Sequence, residues 1–202
     1  VARTETDGTV TIDVSGRRAA MAGVARPAIA YAQAGNVNTG ASDSICRIVD
    51  IAHAQQAWVH VDGVFGLWAA ASPSRRHLRR GLDRADSVAT DAHKWLNVPY
   101  DSGLVIVRDT RHLNAAMSSS AAYLAESDTR DPHWFVPEMS RRARAIEIWA
   151  ALRSLGKTGI ADLIARSCAL AKRFAEAFRR AGYEVLNEIG LNPGLVSVGA
   201  PE

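Results

Sequence analysis

Four short apolar runs recur along the first half of this chain, and the segments between them are long enough to cross back over a sheet. "AIAYAQA" (Ala28 to Ala34), "AWVHVD" (ending at Asp62), "DSVATD" (ending at Asp91) and "GLVIVRD" (Gly103 to Asp109) are β-branched or alternating, and each is closed by a glycine or an aspartate. Between the first two, "DSICRIVDIAHAQQ" places Ile45, Ile48, Val49 and Ala52 at helical intervals behind Asp43, which predicts a helix capped by Asp43. Between the next two, "RRHLRRGLDRA" also reads as helical, with a solvated basic face. Strands alternating with helices predict a mostly parallel sheet covered on both faces, the α/β class. In such sheets a ligand site lies beyond the carboxyl ends of the strands.

The rest of the chain is organised differently. Residues 115–140 are rich in Ser, Asp and Pro with little periodicity, a connection longer than usual and of the kind that is commonly mobile and functional. Two strong helical patterns follow, broken at Gly156, and "YEVL" and "GLVSV" then restart strands. These features predict a division into residues 1–155 and a smaller α+β unit, 156–202. The chain starts at Val1 without a methionine and stops just after a strand-like run, as an internal piece of a longer polypeptide would.

Composition narrows the functional classes. The 202 residues are 48% hydrophobic with a formal net charge of +3, enough apolar content for a real core and too little charge to mark a nucleic-acid binder. No apolar stretch approaches the ~20 residues that span a bilayer. Cys46 and Cys168 lie far apart without zinc spacing, which fits a reduced, cytoplasmic setting. "GNVNTGAS" (Gly35 to Ser42) has phosphate-loop glycines, but Ala41 stands where a nucleoside-triphosphate loop needs lysine. His60 and Asp62 share a strand face without a third ligand at recognisable spacing, so no metal site is expected.

What remains is a carboxylate and an amine. Asp62 ends one strand, and Lys94, the only lysine before Gly156, follows the next in "DAHKW". Lysine amines form Schiff bases with aldehydes, and pyridoxal phosphate also needs a carboxylate beside its ring nitrogen to keep the ring an electron sink. The stretch from Asp62 to Lys94 is long enough for a crossover and a return strand, which would bring both to one crevice.

With "HVDG", "DAHKW" and "SRRAR…W…LRSLG" in this order, the chain resembles the group II pyridoxal-phosphate-dependent amino acid decarboxylases from about Ala28 to Gly156. The resemblance implies an aspartate aminotransferase-like fold (fold type I), a homodimer, and an L-amino acid substrate of aromatic or acidic type. It implies that Lys94 forms the Schiff base, that Asp62 pairs with the ring nitrogen and that Val64 packs against the ring. Asp91, His93 and Asn36 would lie by the cofactor, and Tyr123 would be the mobile-loop tyrosine that protonates the substrate carbon after carbon dioxide leaves. Many members carry "GTT" where Gly35-Asn36-Val37 stands here, and asparagine in place of Asp91. The family's ring-stacking histidine and much of its phosphate loop would precede Val1. Carbon-carbon lysis or aldehyde formation is the neighbouring chemistry; an inert fragment or interaction module is the alternative of another class.

Overall fold

A computed structural model describes residues 3–6, 9–118 and 130–199. Its centre is a four-stranded sheet in the order β3 (Ile29–Gln33), β4 (Trp58–Asp62), β5 (Ser87–Asp91), β6 (Gly103–Val107), three strands parallel and the last antiparallel. Before it come a hairpin of β1 (Arg3–Thr6) and β2 (Thr9–Ile12) and the helix α1 (Val14–Ala22), whose N-cap Asp13 accepts hydrogen bonds from the amides of Ser15 and Gly16.

The first crossover is as the periodicity predicts. Helix α2 (Ile45–Ala54) buries Ile45, Ile48, Val49 and Ala52 against Ala30, Ala32, Val59 and Val61 of the sheet. Its N-cap, however, is Ser44 rather than Asp43. The Asp43 carboxylate turns back to accept the Gln33 amide at 2.7 Å, so it ties the loop to the strand instead of capping the helix.

The second crossover corrects the sequence reading. In place of an α-helix, residues 63–86 run through short 3-10 turns at Leu67–Ala71, Arg76–Arg79 and Leu82–Arg84. Gly81 is one reason: its φ of +87° is left-handed, and a Cβ there would lie 2.6 Å from the Cys46 Cα on α2. The chain passes α2 too closely for a helix to continue. Nor is the basic run wholly solvated, because Arg79 is buried.

The connection between β5 and β6, residues 92–102, is too short for a parallel crossover and the strands pair antiparallel. Helices pack on the Ala30/Val59 face. The opposite face carries Ile29, Tyr31 and Val105, each more than half exposed, with His112 of α3 (Thr110–Met117) edge-on to Trp58. α4 (Arg144–Arg180) is interrupted at Gly156, where φ is +61° and ψ −176°, so the two helical patterns of the sequence are two arms of one broken helix. Its second arm buries Ile160, Ile164 and Cys168 with Ala69, Trp95, Leu96 and Leu191 in a second core. β7 (Glu184–Val185) and β8 (Val196–Ser197) form a small antiparallel pair. None of the described helices is long and apolar enough to cross a membrane.

Candidate active site

Parallel pairing of β3, β4 and β5 puts their carboxyl ends on one edge, and three connections meet there: 34–42, 63–66 and 92–102. Asp62 is the last residue of β4. Alternation sends Val59 and Val61 into the core, and puts Trp58, His60 and Asp62 on the other face. The Asp62 Oδ1 accepts the Val64 amide at 3.1 Å, closing an Asx turn that starts the 63–66 connection, while Gln33 Nε2 lies 3.5 Å from Oδ2.

Gln33 was not singled out by sequence reasoning, yet it links two residues that were. Its Oε1 accepts from Asn36 Nδ2 at 2.9 Å, and Asn36 Oδ1 in turn accepts the amides of Asn38 and Thr39 at 2.9 and 3.2 Å. A polar chain thus runs from Asn36 through Gln33 to Asp62. Alternation along Ala28–Ala34 marks Gln33 as a polar residue at a strand end; its register opposite Asp62 needs the pairing of two strands.

Lys94 sits in the 92–102 connection. Ala92, Trp95, Leu96 and Val98 are buried there, and Asn97 adopts φ +54° with its amide bonded to the Lys94 carbonyl. This tight turn leaves Lys94 facing out of the core. Its Nζ lies 3.1 Å from Asp91 Oδ2 and 3.9 Å above the centroid of the Phe65 ring. Phe65 stands three residues beyond Asp62, so the lysine of one connection rests on the turn that Asp62 begins. A cation over an aromatic face is favourable by about 0.5–2 kcal/mol depending on desolvation.

His93 approaches the same carboxylate oxygen: its Nε2 is 3.4 Å from Asp91 Oδ2, its Nδ1 lies 2.8 Å from the Ser102 carbonyl, and its ring meets Tyr100 edge-on. Trp68 Nε1 donates to the Asp91 carbonyl at 3.1 Å, fixing the end of β5. His60 does not join this group. Its Nδ1 is 2.8 Å from Ser87 Oγ, which also accepts from Trp58 Nε1, and burial pushes its pKa down against the opposing pull of Asp62. Tyr123 lies outside the described residues, as does the 119–129 stretch of the loop around it. The structure therefore brings together Asn36, Asp62, Val64, Asp91, His93 and Lys94.

The model of the pyridoxal-dependent decarboxylase conserved domain matches residues 6–198. The chain belongs to the pyridoxal-dependent decarboxylase family. An aromatic-L-amino-acid decarboxylase of Bacillus atrophaeus is 32% identical over 158 residues, covering 76% of this chain and 33% of that protein. A 3,4-dihydroxyphenylacetaldehyde synthase 2 of Drosophila simulans is 31% identical over 74% of this chain and 47% of its own length. Among solved structures, Oryza sativa TDC with PLP and tryptamine superposes with a TM-score of 0.83 at 27% identity, covering 90% of this chain and 39% of that one. The chain thus has the fold type I α/β architecture of pyridoxal-phosphate decarboxylases, and it spans about a third to a half of the curated relatives it matches.

The residues present suit the cofactor of the family. An amine near a carboxylate at the mouth of two parallel strands, and a second carboxylate on the neighbouring strand end, are the donor set that an aldehyde and a pyridine nitrogen require.

Proposed function

We propose that the protein containing this chain decarboxylates an L-amino acid to the amine and carbon dioxide, with pyridoxal phosphate held by Lys94, Asp62, Asn36, Val64, Asp91 and His93. The observation that carries this reading is Lys94 resting on Phe65, at the turn opened by Asp62, with Asp91 beside the amine. Bound there, pyridoxal phosphate would supply an aldehyde for the Lys94 amine and an electron-poor ring beside Asp62.

The chain's own residues do the rest. Asp91, which both Lys94 Nζ and His93 Nε2 approach, holds the amine at the mouth of the two strands, so it is oriented before the cofactor arrives. Asp62, kept from rotating by the Val64 amide, holds a proton at the ring nitrogen as a charge-assisted hydrogen bond. Asn36 is pre-oriented by Gln33 and by two amides, so its loop needs no rearrangement to border the ligand. Tyr123 delivers a proton to the substrate carbon, and the active unit is a homodimer.

The curated relatives named above support an aromatic substrate over an acidic one. The aldehyde synthase among them supports a second reading, in which the same site yields an aldehyde. Incubating the full-length protein with pyridoxal phosphate, reducing with borohydride and mapping the modified peptide tests the site. The cofactor is expected on Lys94 and absent from Lys94→Ala; a reducible adduct elsewhere in that variant removes Lys94. Amine, aldehyde and oxygen uptake measured with an aromatic L-amino acid separate the two outcomes, and Tyr123→Phe is expected to lower amine and raise aldehyde. Amine formed by that variant at the wild-type rate removes Tyr123 from the mechanism.

A further inference from the structure

Behind the two connections that carry Asn36 and Asp62 lies Arg79, only 5% exposed. Its Nε donates to the Gly66 carbonyl, and its Nη1 donates to Ser42 Oγ at 2.7 Å and to the Leu78 carbonyl at 2.8 Å. Its Nη2 is buried without a partner. Among the described residues no carboxylate forms an ion pair with it. Burial pushes its pKa down to about 10, so it stays charged at neutral pH. Buried charges are ordinarily paired; this one is held by carbonyl and hydroxyl oxygens alone.

The acceptors explain its place. Ser42 closes the loop that carries Asn36, and Gly66 closes the turn that runs from Asp62 through Val64. At Gly66 the two connections touch backbone to backbone. A Cβ on Gly35, whose φ is +97°, would lie 3.0 Å from the Gly66 Cα and amide nitrogen, and a Cβ on Gly66 would strike both the Ala34 carbonyl and Arg79 Nη2. The seam between the loops therefore holds two backbones and one guanidinium. The planar fork of arginine reaches acceptors on separate segments at once, which an ammonium on a flexible stem does not.

We propose that Arg79 is a positioning residue for the cofactor site: its guanidinium fixes the spacing between the 35–42 loop and the 63–66 turn, and with it the placement of Asn36 relative to Asp62 and Val64. The assignment of those three to pyridoxal phosphate rests on the function proposed above; the clamp itself does not.

The test uses Arg79→Met, Arg79→Lys and Ser42→Ala in the full-length protein, with two readouts. The first is amide hydrogen exchange without cofactor at Asn38 and Thr39, which bond to Asn36 Oδ1, and at Val64, which bonds to Asp62 Oδ1, referenced to the ladder amides of Ala32 and Val61. Arg79→Met is expected to speed exchange at all three while sparing the references. Arg79→Lys should fall between it and wild type, and Ser42→Ala should loosen Asn38 and Thr39 but not Val64. The second readout is the pyridoxal phosphate dissociation constant. It should rise roughly ten- to hundredfold in Arg79→Met, as loss of an outer support of a bound group commonly does, with kcat at saturating cofactor near the wild-type value. Unchanged protection at the three amides overturns the proposal, and so does uniform loosening that includes Ala32 and Val61, the mark of a general packing role. Should Arg79→Met fail to fold, the contrast between Arg79→Lys and Ser42→Ala decides it. A wild-type protein that captures no pyridoxal phosphate at Lys94 refutes the proposed function, while the exchange result still decides the clamp.

Discussion

Asp62 carries two duties that one substitution separates. Its Oδ1 accepts the Val64 amide at 3.1 Å, and as a carboxylate it supplies the negative charge at the mouth of β4. Asp62→Asn keeps an oxygen for the Val64 amide and removes only the charge. A hydrogen bond to a charged partner contributes about 1.5–3 kcal/mol. At about 1.4 kcal/mol per decade, pyridoxal phosphate affinity should fall roughly 10- to 150-fold. Turnover at saturating cofactor should fall as well, because a ring nitrogen left without its proton is a poor electron sink. Asp62→Ala loses the charge and also strands the Val64 donor. An unsatisfied buried donor costs about 1–3 kcal/mol, and since Asp62 and Val64 are both half-buried the lower end applies. Only the alanine variant should therefore shift the urea midpoint of the cofactor-free protein, by an amount equivalent to about 1 kcal/mol. Titration of each variant with cofactor, followed by absorbance, and urea melts of the apo forms supply both numbers. Wild-type affinity and turnover in Asp62→Asn would refute the assignment of the charge, and equal destabilisation of the two variants would refute the account of the turn.

His60 makes a pH-dependent contribution whose direction is fixed. Burial holds its folded pKa below the ordinary 6.5, so between that lowered value and 6.5 the unfolded chain binds more protons, and stability declines as pH falls through this window. His60→Gln should flatten the pH dependence of the urea midpoint between about pH 7.5 and 5, and an unchanged slope would rule out His60 as its source. Gly66→Ala meets the Ala34 carbonyl and Arg79 at a φ of −139° that any residue adopts, so its cost is steric, about 1–3 kcal/mol by denaturant melts. Gly23→Ala, with open space around it, should stay within about 0.5 kcal/mol of wild type.

The elements whose burial repeats at their own period were legible in the sequence: β3, β4, β5, β6 and α2 stand where alternation or helical spacing placed them. Three features were not, each for a physical reason. The 63–86 crossover has helical composition, but Gly81 in the left-handed region passes against the Cys46 backbone, a tertiary contact that overrides propensity. Asp43 is a good cap in isolation and is drawn off by the Gln33 amide of a neighbouring strand. Arg79 sits in a charge run, which ordinarily signals solvent, and only the meeting of two loops at Gly35 and Gly66 shows what a buried guanidinium does there. Asp62 and Lys94 could be paired from the sequence because strand ends in a parallel sheet converge whatever the crossovers are made of.

The antiparallel return of β6 then decides why the lysine stands where it does. A parallel partner would have required a crossover over the sheet face and carried the chain away from the edge where β4 and β5 end. The short 92–102 connection instead has to stay at that edge, and the second core draws in Ala92, Trp95, Leu96 and Val98. His93 is taken up by Ser102 and Tyr100. Within the first turn of the connection, position 94 is what remains, open enough for an amine at 31% side-chain exposure and near enough to Phe65 and Asp91 to be held. A lysine moved to 92 or 95 would bury its charge among Ile160, Ile164 and Leu191 or unfold the turn. The position of the Lys94 amine follows from strand polarity and apolar burial before any ligand is considered.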